Sequence, residues 1–165
     1  MLKQKRKRIA KPLKTNKKME NTNQAIIDKL NHLIGIAQDG RQGYENAAAD
    51  VDDLDSSELF MKFSKQREVY VNELQIEVKK MGGEAEQEGG PVGTLHLMWM
   101  DMKSAFTSGG KTAIINACIT GEETAIAEYQ KVLIDDQIRG NIKQIIEDQL
   151  HGIEYALASI KLQIL

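Results

Sequence analysis

The chain has 165 residues, 41% of them hydrophobic and 28% charged, which is enough apolar material for one core of ordinary domain size. No apolar run approaches the ~20 residues a helix needs to cross a bilayer, which excludes a transmembrane helix. The net charge of −2 conceals an asymmetry, because residues 1–18 carry nine basic side chains and no acid while residues 19–165 stand at −11.

Like charges repel, and only Leu2, Ile9, Ala10 and Leu13 could pack, so residues 1–21 read as a disordered basic arm. The same stretch also reads as leader sequence ahead of an alternative start at Met19. It is not a secretory signal, since no apolar segment of about 7 to 15 residues follows the charges. A single cysteine, Cys118, allows no intramolecular disulfide, and a reducing cytoplasm is the expected location.

Two prolines, and hydrophobic runs repeatedly broken by charges, favour long helices over short strands, and residues 22–165 read as one helical domain. A first helix is expected from Thr22 or Asn23, where a side-chain oxygen can cap free N–H groups. Its apolar stripe is Ile26, Leu30, Leu33, Ala37, Gly40, Tyr44, Ala47 and Val51. Gly35, Gly40 and Gly43 suggest close approach of another helix, either inside the bundle or from a second copy. Asp55 and Glu58 have capping-box spacing for a second helix, whose stripe is Phe60, Phe63, Arg67, Tyr70, Leu74, Val78 and Met81 before Gly82 and Gly83 end it.

After a polar loop to Pro91, a third helical region starts near Val92 with Leu95, Trp99, Met102 and Phe106. It is interrupted at Ser108, Gly109 and Gly110, then resumes through Ile114, Cys118, Ala125, Tyr129 and Val132, so it reads as kinked or broken. The last helix is expected from about Asp136 to Lys161, with Ile138, Ile142, Ile146, Leu150, Ile153, Leu157 and Ile160 inward. Four long stripes specify an all-α four-helix bundle.

Specific residues carry a family resemblance. Leu30-Asn31-His32-Leu33-Ile34, Asp39-Gly40 with Gly43-Tyr44, Gln66-Arg67 with Glu73-Leu74, Gly93 to His96 with Trp99, and Gly121-Glu122 leading to Tyr129 occur in this order. Over about residues 23–160 the chain resembles a bacterial family of ferritin-like four-helix-bundle proteins catalogued as a domain of unknown function. It is more distantly similar to rubrerythrins. The resemblance implies a ferritin-like fold and no established activity.

Ferritin-like di-iron proteins set one Glu on each of two helices and a Glu-x-x-His on each of the other two. Here the candidates for an iron or zinc site are Glu45, Glu122, Glu123, and Asp148 with His151, a shortened version of that motif. The set is incomplete: the second helix has no histidine, and Thr120 stands where the rubrerythrin Glu-Gly-Glu-Glu run puts its first ligand. A different account uses the same positions. Arg67 lies on an apolar stripe, where an unpaired charge costs several kcal/mol, so it is expected either to pair with Glu122 or Glu123 across the core or to snorkel to solvent.

Cys118 sits on an apolar stripe and reads as an inert buried thiol, and none of the glycine pairs forms a phosphate-binding loop. Leu97 to Met102 reads as core with one edge at the surface. Three functions stay open. The first is a non-enzymatic, structural or partner-binding bundle that self-associates and carries no cofactor, serving an unknown protein partner in a stress-related or accessory role. The second is a metal-binding oxidoreductase with a degenerate di-iron site. The third is association with nucleic acid or an anionic surface through Lys5, Arg6, Lys7 and Arg8.

Overall fold

The computed structural model describes residues 13–87 and 109–165, and among them the regular structure is helical. Four α-helices follow in order: α1 (Leu13–Asp50), α2 (Leu54–Lys80), α3 (Gly110–Leu133) and α4 (Gly140–Lys161), with a terminal 3-10 turn at Leu162–Ile164.

Several expected boundaries shift. Helix α1 is already formed at Leu13, the first described residue, and does not wait for Thr22 or Asn23, so residues 13–21 are helical and not disordered. Lys, Asn, Met and Glu all tolerate helix, and Thr22 turns its hydroxyl back onto the carbonyl of Lys18 (3.0 Å) instead of capping. Helix α2 is capped by Asp53, two residues before the expected Asp55. The Asp53 carboxylate accepts from the backbone N–H of Ser56 (3.0 Å) and from its hydroxyl, and it ties α3 on through Lys111 (3.1 Å). The Ser56 hydroxyl, Lys111 and the Ser56 N–H together hold this carboxyl below its usual range.

Helix α2 ends in a Schellman arrangement, with Gly83 N–H donating to Val78 O (3.0 Å) and Gly82 N–H to Lys79 O (3.0 Å). Gly82 sits at φ +78°, a conformation that only glycine adopts without strain. The break expected near Ser108 is present as the start of α3, while its preceding half, with His96, Trp99 and the Leu97 to Met102 surface, lies outside the described residues. Helix α4 starts at Gly140, four residues after the expected Asp136. The interval is a turn held by Asp135, which accepts from Gln137 N–H (2.8 Å) through its side chain and from Ile138 N–H (3.0 Å) through its carbonyl.

Contacts between helices define the topology. Lys29 meets Asp135, His32 meets Glu128 and Tyr44 meets Glu122, so α1 and α3 are antiparallel. Gln149 bonds Glu73 while Tyr155 lies near Lys62, so α2 and α4 are antiparallel as well. With α1 and α2 joined by a short turn, α2 and α3 then run in the same direction, and the connection between them has to travel the length of the bundle. Its described beginning does so along α1. Asn31 exchanges hydrogen bonds with Glu84 O and Glu86 N–H (both 2.9 Å), and two turns further on Gln38 donates to Gln87 O (3.1 Å).

The core falls into two apolar clusters. One contains Leu30, Leu33, Leu74, Val78, Ile146 and Ile153, and the other Phe60, Phe63, Ile114, Cys118, Ala156 and Ile160. Between them lies a polar layer. Among the described residues no helix is long and apolar enough to cross a membrane.

Gly152 lets the Tyr70 side chain of α2 lie directly against α4. A Cβ there would land on the Tyr70 hydroxyl and lie 3.1 Å from Gln66 Nε2. Gly152→Ala should therefore lower the unfolding midpoint, although alanine favours helix by about 1 kcal/mol. Adding Tyr70→Phe, which removes the obstructing oxygen, should recover most of the loss in thermal or urea unfolding.

Candidate functional site

Arg67 and Glu122 are 2% and 3% exposed, and each projects inward from the middle of its helix. Arg67 Nη2 donates to both carboxylate oxygens of Glu122, at 2.5 and 2.6 Å, while Nη1 donates to Gln66 Oε1 (3.0 Å). The Tyr44 hydroxyl donates to Glu122 Oε1 from α1. The guanidinium carbon lies 5.9 Å from the Tyr44 ring centroid and 5.5 Å from that of Tyr70, which gives the cation aromatic surface on the sides not used for hydrogen bonds.

The electrostatics follow from burial and charge. Burial pulls the Arg67 pKa down, but the neighbouring Glu122 charge outweighs it and the guanidinium is held more firmly protonated than in water. Burial, then the charge of Glu122, pushes the Tyr44 hydroxyl well above its ordinary value, so it stays a donor. The Cys118 thiol is raised by burial and again by Glu122, which leaves it an unreactive neighbour.

A second tie completes the layer. Gln149 of α4 is 1% exposed; its Oε1 accepts from the Tyr129 hydroxyl (2.8 Å), and its Nε2 donates to Glu73 Oε2 (2.8 Å) and Tyr70 O (3.3 Å). Two separate hydrogen-bond networks thus make up the polar layer, and between them all four helices contribute a side chain. The void beside it, lined by Gly40, Tyr44, Arg67, Cys118 and Glu122, measures about 10 Å³, at most the room of one water.

Of the residues expected at a site, the structure brings Arg67 and Glu122 together and does not bring Glu123 to them. One residue further along, Glu123 points about 100° away. It is exposed and meets Lys161 (3.4 Å) at the surface, so it is not a partner of Arg67. Arg67 does not snorkel to solvent. The metal candidates do not converge either. Glu45 is half-buried against Arg41 (2.9 Å) and Ser64 (3.4 Å), Asp148 is exposed and accepts from Gln144 (2.8 Å), and His151 is exposed.

Among the described residues no group of three or more His, Cys, Asp or Glu could hold a metal ion. Asp148 and His151 each fall one position short of Gln149 and Gly152, which take the inward face of α4. The di-iron centre implied by a ferritin-like fold therefore does not fit this layer: both oxygens of Glu122 are taken by a guanidinium, whose charge would repel a metal cation. Lys5, Arg6, Lys7 and Arg8 lie outside the described residues.

His32 is half-exposed and bonds Glu128 (2.6 Å). Burial pushes Glu128 up, but the contacts with His32 and Lys131 hold its carboxyl below its usual range. Residue patterns had not singled out Gln149, Tyr44 or Tyr129 as polar partners. The available signal was that a tyrosine on a buried stripe needs a partner for its hydroxyl, and that Gln149 falls three residues after Ile146 on the same stripe.

Neighbouring acids give a sharp comparison. Glu122→Gln leaves a buried guanidinium without its counter-charge and should cost about 3 to 5 kcal/mol of unfolding free energy. Glu123→Gln should stay within about 0.5 kcal/mol of the parent. Urea unfolding of both variants measures the difference.

Comparison with known proteins agrees with this architecture. Residues 25–135 match the family described as "Domain of unknown function (DUF2383)". A search of curated proteins finds no significant match. Among solved structures, the chain is similar to the bacterioferritin-related protein from Bacteroides fragilis, described as a dodecameric thioferritin, with a TM-score of 0.68 at 14% identity over 84% of this chain and 83% of that one. The family match runs from the first buried turn of α1 through the end of α3 and includes both members of the central ion pair, so the chain belongs to the DUF2383 family, a ferritin-like helical family of unknown function.

Proposed function

We propose that this chain is a non-enzymatic, self-associating ferritin-like bundle with a structural or partner-binding role, working in the cytoplasm and without a resident metal. The observation that carries the reading is the Arg67–Glu122 pair. At the centre of the bundle, where a ferritin-like oxidoreductase needs open carboxylates, a buried guanidinium engages both oxygens of Glu122. The adjoining void of about 10 Å³ leaves no room there for a substrate.

Self-association is supported by the similar bundle from Bacteroides fragilis, which is described as a dodecamer, and by large apolar side chains exposed on α2. Metal analysis after purification with iron supplied tests the metal-free part of the reading. The expected result is a near-zero iron content that His151→Ala does not change. Roughly two irons per chain, lost on Glu122→Gln or His151→Ala, would establish the oxidoreductase instead.

A further inference from the structure

Helix α2 buries Phe60, Phe63, Arg67, Val71, Leu74 and Val78, and its opposite face should be polar in a monomer. It is not. Leu54, Met61, Val69 and Ile76 are 71%, 39%, 52% and 52% exposed, and they lie along the line of the helix farthest from the core. Single exposed apolar residues are ordinary, but four in one stripe are not. With Glu58, Lys65 and Asn72 between them, the stripe advances in steps of 4, 3, 4, 4, 3 and 4 residues. Leu54, Lys65 and Ile76 are spaced at eleven, close to the natural period of a straight helix, so the stripe does not wander round the cylinder.

That step pattern reads the same in both directions, with Lys65 at its centre. We infer that a second copy of this chain docks on this face, α2 against α2 in antiparallel orientation, about a two-fold axis through Lys65. The inference rests on the self-association reading above and names its surface. Two-fold pairing requires a self-complementary face, in which the contact of one residue with another is repeated in reverse. Here Leu54 falls opposite Ile76 of the partner copy, and Met61 opposite Val69 of the partner copy.

Lys62 and Glu68 stand three residues to either side of Lys65, on opposite edges of the stripe, and an antiparallel two-fold sets each edge beside the same edge of the partner copy, so these charges flank the contact and do not pair across it. Lys65 alone meets its own copy, and on the axis its aliphatic stem can cover apolar surface while the ammonium leaves to solvent. Ser57, Glu58, Met61, Lys62 and Lys65 form one half of the open face.

From Leu54 to Ile76 the contact runs roughly 33 Å at 1.5 Å per residue. Tyr155 of α4, 60% exposed, widens it at the margin. A strip of these dimensions buries on the order of 1,000 Å², the low end for a specific interface, so a concentration-dependent dimer is expected.

A charge placed in the stripe provides the test, by sedimentation velocity over a concentration series of the full chain. Met61→Glu and Val69→Glu, both on the exposed face of α2, should each raise the dimer dissociation constant about tenfold or more, because each would bury an unpaired carboxylate in the contact. In a Cys118→Ala background, Lys65→Cys should form an intermolecular disulfide under mild oxidation, because the axis brings the two copies of that position together. If the protein associates but neither the stripe substitutions nor cross-linking responds, this interface is wrong and self-association stands. If the unaltered chain is monomeric at the highest concentration it tolerates, both readings fall.

Discussion

A charged guanidinium cannot be left alone in a protein interior, and the arrangement of the four helices answers to that constraint at Arg67. Its partner Glu122 stands on α3, across the bundle from α2, so the pair joins two helices that are separated in sequence by the long connection. Tyr44 brings α1 into the same contact, and Gln149 with Tyr129 extends the layer to α4. Such a pair adds little net stability compared with a hydrophobic replacement of the same volume, but any register that separates its members is penalised by the full cost of an unpaired buried charge. The apolar clusters on either side supply the driving force, and the polar layer selects one way for them to meet.

The same layer sets what the bundle centre can do chemically. A carboxylate whose two oxygens accept from an arginine is a poor ligand for a metal, because the guanidinium beside it would repel a second cation. The tyrosine hydroxyls are held protonated by burial and the thiol of Cys118 is raised out of its reactive range. The centre is closed, and the face of α2 that points away from it carries exposed apolar side chains.

Much of this fold was legible because buried stripes of steps three and four persist for about five to seven turns. Ile26 through Val51, and Phe60 through Val78, face inward as their spacing requires, and a Cβ added at Gly40 would lie 3.4 Å from the Arg67 side chain, so this glycine leaves room for Arg67 inside the bundle. Helix ends were less legible. Asp53 and Asp55 are both good caps, and the choice between them depends on where Ser56 places its N–H, a local geometry that composition does not encode. At the centre, Arg67 on an apolar stripe announced a buried partner, but Glu122 and Glu123 differ only by a rotation of about 100°. Asp148 and His151 attracted notice as ligand types, whereas the adjacent Gln149, a residue with no metal chemistry, holds the inward position.

The coupling between Arg67 and Glu122 is the most direct measure of this account, read as a double-mutant cycle of Arg67→Met and Glu122→Leu in urea unfolding. Each substitution alone should cost about 3 to 5 kcal/mol, while the two together should return to within about 1 kcal/mol of the parent, because the second removes the charge that the first leaves unpaired. Losses that simply add would contradict it, and would mean that the two side chains contribute independently and do not hold the bundle centre as a pair.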